Sequence, residues 1–194
     1  MHAGLVHGAS PGMTPARGPE PRIRPARLDE AARLADFARG TFLDTFMGEF
    51  AMGYPEEDLN PWLAESFAEQ AFAAIIADPR TGVWVAEHDG AYLGYCTAGD
   101  NTLPLLGASA ADGELKRLYL ARSAFGSGLA GRLMATALAF LDPERRRTVL
   151  IGVWSGNLRA QRFYARYGFV KAGEYAFPVG RVRDREFILR RGPA

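Results

Sequence analysis

Glu114-Leu115-Lys116-Arg117-Leu118-Tyr119-Leu120 is followed, after a short loop, by Gly126-Ser127-Gly128-Leu129-Ala130-Gly131, and these two runs decide the fold. The first reads as a strand. The second opens a helix that places Leu129, Leu133, Ala137 and Phe140 on one face. Glycines let a backbone approach phosphate oxygens closely, and the unpaired amides of a helix start donate to them, aided by the helix dipole. A second strand and helix follow. Thr148 to Trp154 is a continuous apolar run of the kind buried on both faces. Asn157-Leu158-Arg159-Ala160-Gln161-Arg162-Phe163-Tyr164 comes next, ahead of Gly168-Phe169. The residues describe a phosphate-cradling helix start and a second helix that presents a tyrosine.

Gly126 to Gly131 also matches G-x-G-x-x-G, the fingerprint of a dinucleotide fold. That reading demands a carboxylate at the end of the next strand, about 20 residues on, to hold ribose hydroxyls. Ile151-Gly152-Val153-Trp154-Ser155 supplies none. The motif also begins too far along the chain for a complete doubly wound domain.

Upstream, Ile23 to Arg27 reads as a strand, and Asp29 as the cap of a helix carrying Leu34, Phe37, Ala38, Phe42 and Phe46. A second helical region runs through Trp62, Phe67, Phe72 and Ile76 and stops at Asp78-Pro79. The period then changes, and Val83 to Cys96 reads as a hairpin turning at Asp89-Gly90. Gly99 to Gly113 reads as a loop. Strand-like segments at 169–177 and 185–189 end the chain.

The 194 residues suit one domain, residues 22–194, behind a Gly- and Pro-rich tail, 1–21, with too little to bury for order. A net charge of +1 argues against general nucleic-acid affinity. No run approaches the ~20 apolar residues of a membrane span, and the start lacks a secretory apolar core. One cysteine, Cys96 in an apolar run, permits no internal disulfide and favours a reducing, cytoplasmic setting. His2, His7 and His88 form no metal-ligand pattern, so no metal is expected.

With those residues in view, the chain resembles the GNAT superfamily of N-acetyltransferases. That family's acyl-CoA motif leaves a strand as Gln/Arg-x-x-Gly-x-Gly/Ala. Here it reads Phe125-Gly126-Ser127-Gly128-Leu129-Ala130, with Phe125 where Gln or Arg usually stands. Asn157, Ala160, Phe163-Tyr164 and Gly168-Phe169 follow the family's second motif. The resemblance spans about residues 22–191. It implies an α/β (α+β) fold with a mixed, mostly antiparallel central sheet of six to seven strands and about four flanking helices. It also implies acetyl-CoA as co-substrate. Leu118, Tyr119, Leu120, Phe125 through Gly131, Asn157, Ala160 and Phe163 would bind it.

Within the family the chain looks like polyamine acetyltransferases of the PaiA type, through Thr41-Phe42-Leu43-Asp44-Thr45-Phe46, Glu56-Glu57-Asp58-Leu59 and Gly152-Val153-Trp154. The acceptor so implied is a small cationic amine. A protein α-amine or lysine acceptor, and a non-catalytic acyl-CoA sensor, are the alternatives. The oligomeric state is open, a homodimer included.

Periodicity by itself makes Tyr164 a core aromatic beside Phe163 and Tyr167. The resemblance makes it the acid that protonates the leaving thiolate. Glu114, at the head of its strand, reads either as the base for the amine or as a strand-edge carboxylate. Glu56, Glu57 and Asp58 read as a solvated helix start or as a lure for a cation. Arg159, Arg162 and Arg166 share a helix face, either solvated or turned to phosphates.

Overall fold

The computed structural model describes residues 20–193. His2, His7 and nearly all of the expected disordered tail lie outside these. Seven strands make one sheet: β1 Arg22–Pro25, β2 Gly82–His88, β3 Ala91–Asp100, β4 Gly113–Leu120, β5 Val149–Trp154, β6 Val170–Val179 and β7 Val182–Arg191. They lie in the order β1-β2-β3-β4-β5-β7-β6. β4 and β5 are parallel and every other neighbouring pair is antiparallel. The α-helices among the described residues are α1 Ala31–Leu43, which continues as a π-helical turn over Asp44–Glu49, α2 Glu56–Ser66, α3 Glu69–Ala77, α4 Leu129–Leu141 and α5 Leu158–Ala165. The expected mixed sheet is present. One expected helix is two, because the chain breaks at Phe67-Ala68 between α2 and α3.

Burial explains the layers. Alternation along β2 sends Val83 and Val85 to one face, where they meet Leu34 and Ala38 of α1 and Phe72 of α3. Ala86 faces the other way, and there Cys96, Val149 and Ile151 pack under Leu133, Met134 and Ala137 of α4. Each such aliphatic side chain contributes about 1.5–3 kcal/mol when fully buried. The β2–β3 hairpin turns at Asp89 (φ 48°) and Gly90 (φ 75°), the left-handed pair that matches strand twist.

The feature that makes a site is a pairing that stops early. β4 and β5 pair only at Gly113 with Val149 and at Glu114 with Leu150. Beyond that point the two strands diverge, and backbone groups on both walls lose their ladder partners. The Ala121 amide donates to the Leu93 carbonyl at 2.9 Å. Antiparallel alternation then turns the amides of Leu118 and Leu120 away from β3 and into the opening.

Three expectations are corrected. Asp29 caps nothing: it is exposed and ion-paired with Arg27, while residues 28–30 form a 3₁₀ turn. The longer Glu30 reaches back instead, taking the Arg27 amide at 3.0 Å and the Arg24 guanidinium at 2.7 Å. Phe140 is off the buried face of α4, which carries Met134 and Leu141. It is 40% exposed against the edge of Trp84. Glu56 and Glu57 are solvated at the start of α2, but Asp58 is buried. It holds the Arg181 guanidinium and amide of the β6–β7 turn, at 2.9 and 3.0 Å. That ion pair neutralises Asp58, and none of the three carboxylates lines the cleft described next.

Candidate active site

A cleft of about 1040 Å³ fills the opening between β4 and β5 and continues beneath α1 and α2. That volume is at the top of the range of about 300–1,000 Å³ found for small-molecule sites.

At one end lies the glycine run. Gly126 (φ 74°) and Gly128 (φ 84°) hold left-handed conformations, and a Cβ on either would point into open space. Among the described residues the amides of Gly126, Gly128 and Ala130 donate to no protein acceptor. Ser127 and Leu129 build this cradle without lining it. The Ser127 hydroxyl donates to the Ala124 carbonyl at 2.7 Å and accepts from the Leu129 amide at 3.3 Å. The Leu129 side chain is core. Free amides at the start of a 13-residue helix fit a polyphosphate.

Phe125 is 42% exposed at the cleft, and the Arg159 guanidinium lies 4.7 Å from its ring centre. Arg159 is also paired with Glu49 at 2.8 Å. Arg162 and Arg166 border the same cleft, so the three arginines flank the cradle rather than facing only solvent.

On the opposite wall, Asn157 caps α5 by accepting the Ala160 amide at 2.9 Å. Asn157 also lines the cleft. Ala160, Phe163 and Tyr164 line the same wall. Tyr164 is buried. Desolvation, with Tyr119 and Glu186 adding, raises its phenol well above the ordinary value near 10. It stays protonated throughout the range in which a protein works.

Glu114 is buried at the point where the strands part. One carboxylate oxygen accepts from the Thr102 amide at 2.7 Å, the Thr102 hydroxyl at 2.8 Å and Lys116 at 2.8 Å. These bonds pin the loop between β3 and β4, which then lays Leu103 over Gly152.

The residues missed in the sequence sit on β7. Asp184 and Glu186 are two apart and so share a face of the strand. Both point into the cleft, walled by Phe42, Tyr54, Trp62, Tyr119, Tyr175 and Phe177. The Tyr54 hydroxyl donates to Asp184. Gly152 of β5 makes room for these groups: a Cβ there would meet the Tyr175 hydroxyl at 2.8 Å, Leu103 at 3.3 Å and a Glu186 carboxylate oxygen at 3.4 Å. Burial, with the charge of Asp184 adding, raises the Glu186 carboxyl to about 7. The signal in the sequence was faint, because Arg183-Asp184-Arg185-Glu186 reads as a solvated strand.

The parted parallel pair thus carries a glycine-rich helix start after its first strand and a tyrosine-bearing helix after its second. The family model described as Acetyltransferase (GNAT) family matches residues 42–169, and the chain belongs to this family. An uncharacterized N-acetyltransferase of Mycobacterium bovis is 32% identical over 135 residues, covering 70% of this chain and 82% of its own. Mycothiol acetyltransferase of Frankia casuarinae is 31% identical over 156 residues, covering 78% of this chain and 44% of its own. Among solved structures, PaiA N-acetyltransferase from Thermoplasma acidophilum in complex with coenzyme A superposes with a TM-score of 0.67. That pair shares 19% identity, over 89% of this chain and 98% of the other. The protein is an acetyl-CoA-dependent acetyltransferase. No helix among the described residues is long and apolar enough to cross a membrane.

Proposed function

We propose that the chain acetylates a small cationic amine, with polyamines as the favoured class. The observation that carries this reading is the aromatic chamber around Asp184 and Glu186, which opens into the same cleft as the glycine cradle. Carboxylates and aromatic faces both attract a cation, the rings by about 0.5–2 kcal/mol each. Glu186 has no cationic partner among the described residues.

Acetyl-CoA supplies the activated acetyl thioester. The free amides at Gly126, Gly128 and Ala130 would hold its phosphates, and Arg159 would add the positive charge that Phe125 lacks. The Asn157 amino group and Ala160 would line its arm. The unpaired amides of Leu118 and Leu120 face the opening, where two preorganised donors stabilise a developing oxyanion. Tyr164 would protonate the departing sulfur, since its hydroxyl keeps its proton until a strong base forms beside it.

The test is thiol release from acetyl-CoA across spermidine, short diamines and a peptide with a free α-amine. Reaction with the first two, falling as salt rises, supports the reading. Reaction with the peptide alone places the acceptor among proteins, and thiol release from none overturns the small-amine reading.

A further inference from the structure

We propose that Glu186, rather than Glu114, is the catalytic base that takes the proton from the acceptor amine. The inference rests on the reading of the chain as an amine acetyltransferase.

Geometry separates the two carboxylates. Glu114 has three donors on one oxygen and holds the β3–β4 loop in place. Glu186 stands on β7 opposite Trp154 of β5 and Tyr175 of β6. Its only hydrogen-bond partner among the described residues is the Tyr175 hydroxyl at 3.5 Å, the outer limit for such a bond. The bare backbone of Gly152 lies against that same carboxylate oxygen, with Leu103 beside it, and Glu186 borders the cleft.

The surroundings of Glu186 also suit a base. Asp184 of the same strand faces it, as do Tyr175 of β6, Tyr119 of β4, Tyr164 of α5 and Tyr54 from the segment before α2. The phenols are neutral. β5 lines the cleft with Ile151, Gly152, Val153 and Trp154, none of them titratable. Of the cations bordering the cleft near these groups, Lys116 is paired with Glu114, and Arg117 has its guanidinium 5.3 Å from the Phe67 and Phe72 ring centres. With no cation on it, the carboxyl has its affinity for a proton raised toward neutrality, where a general base works best.

The step balances as follows. Glu186 takes one proton from the ammonium group, freeing the nitrogen lone pair. That pair forms the N–C bond to the acetyl carbon while the C–S bond breaks and its electron pair passes to sulfur. Tyr164 gives sulfur a proton and regains one from the nitrogen of the new amide. Glu186 then releases its proton to water.

The experiment compares Glu186→Gln, Glu186→Asp and Glu114→Gln with the unaltered protein, using the fastest amine of the panel above. The acceptor kcat/KM, whose pH profile reports groups of the free protein, is read together with turnover from about pH 5.5 to about pH 9, with acetyl-CoA affinity measured by calorimetry. The unaltered protein should show an acid limb centred near 7. Glu186→Gln should lose that limb and fall in turnover by about 10²–10⁴ at unchanged acetyl-CoA affinity. Glu186→Asp should keep the limb at a lower rate, and Glu114→Gln should keep it too. Side-chain carboxyl NMR of the free protein should show Glu186 titrating near 7 without any acceptor. Loss of the limb in Glu114→Gln, its survival in Glu186→Gln, or a Glu186 titration at the ordinary carboxylate value overturns the assignment while amine acetylation stands. Failure of the unaltered protein to acetylate any amine overturns that reading and the assignment with it.

Discussion

Replacing Glu186 with Gln should make the protein more stable at pH 8 than at pH 5, relative to the unaltered chain. Burial raises the folded-state carboxyl from its ordinary 4.5 to about 7, and that difference corresponds to about 3 kcal/mol. The sign follows from linkage. Between the two values the folded chain holds a proton that the unfolded chain has released, so stability falls as pH rises through that window and is flat above it. Gln carries no charge to desolvate and escapes this loss. Because the carboxylate borders the cleft rather than lying wholly inside the core, about 1–3 kcal/mol is the gain to expect at pH 8, shrinking to a few tenths by pH 4. For a chain of this size 1 kcal/mol moves Tm by about 2–4 °C. The assay is urea unfolding of both proteins at several pH values, with m compared to confirm two-state behaviour. Parallel stability curves for the two proteins would refute the claim that Glu186 is held in a desolvated place. A gain at high pH coupled to lost turnover would show a site kept at the expense of stability.

Tyr164→Phe should retain the fold and acetyl-CoA affinity, since only a hydroxyl is lost, while turnover falls by about 10²–10⁴; undiminished turnover with chemistry rate-limiting returns Tyr164 to the core. Gly128→Val forces a branched side chain into a left-handed conformation at φ 84° and aims it at the cradle. Calorimetry should find acetyl-CoA binding weakened at least tenfold, about 1.4 kcal/mol, and unchanged affinity would remove the cradle. Glu30, held first by Arg24 and then by the Arg27 amide, has its carboxyl lowered from 4.5 to about 2. Its contribution is therefore present above pH 4.5 and lost as pH falls toward 2. Glu30→Gln should flatten that acid loss in a thermal melt series, and an unchanged slope would discount the pair.

Much of the fold could be read from residue order. Asp89-Gly90 specified a tight hairpin because both positions tolerate positive φ, and the structure turns there. The apolar run at Val149 to Val153 specified a strand buried on both faces, and β5 lies between β4 and β7. The spacing of Gly126, Gly128, Asn157 and Tyr164 placed a cradle and a phenol on two successive strand–helix units. These signals are local: each depends on a backbone conformation or a period that a few neighbouring residues set.

What tertiary structure alone decided is where charges go. Asp58, Glu114 and Glu186 look alike in sequence, as acidic residues near an element boundary or on a strand with charged neighbours. Folding gives Asp58 to Arg181, and Glu114 to Thr102 and Lys116. It leaves Glu186 over Gly152 with a phenol at 3.5 Å and no cation among the described residues. Apart from Lys116, two residues from Glu114, the partners that make that difference lie 11 to 123 residues away in the chain. A carboxylate's chemistry is set by desolvation and by nearby charge, and both are properties of the assembled cleft rather than of any segment. The sequence by itself determined that a glycine-rich turn opens the helix after β4 and that a tyrosine follows β5. Only the parting of β4 from β5, and the packing of β7 beside them, decided which acidic group meets the substrate side of the cleft.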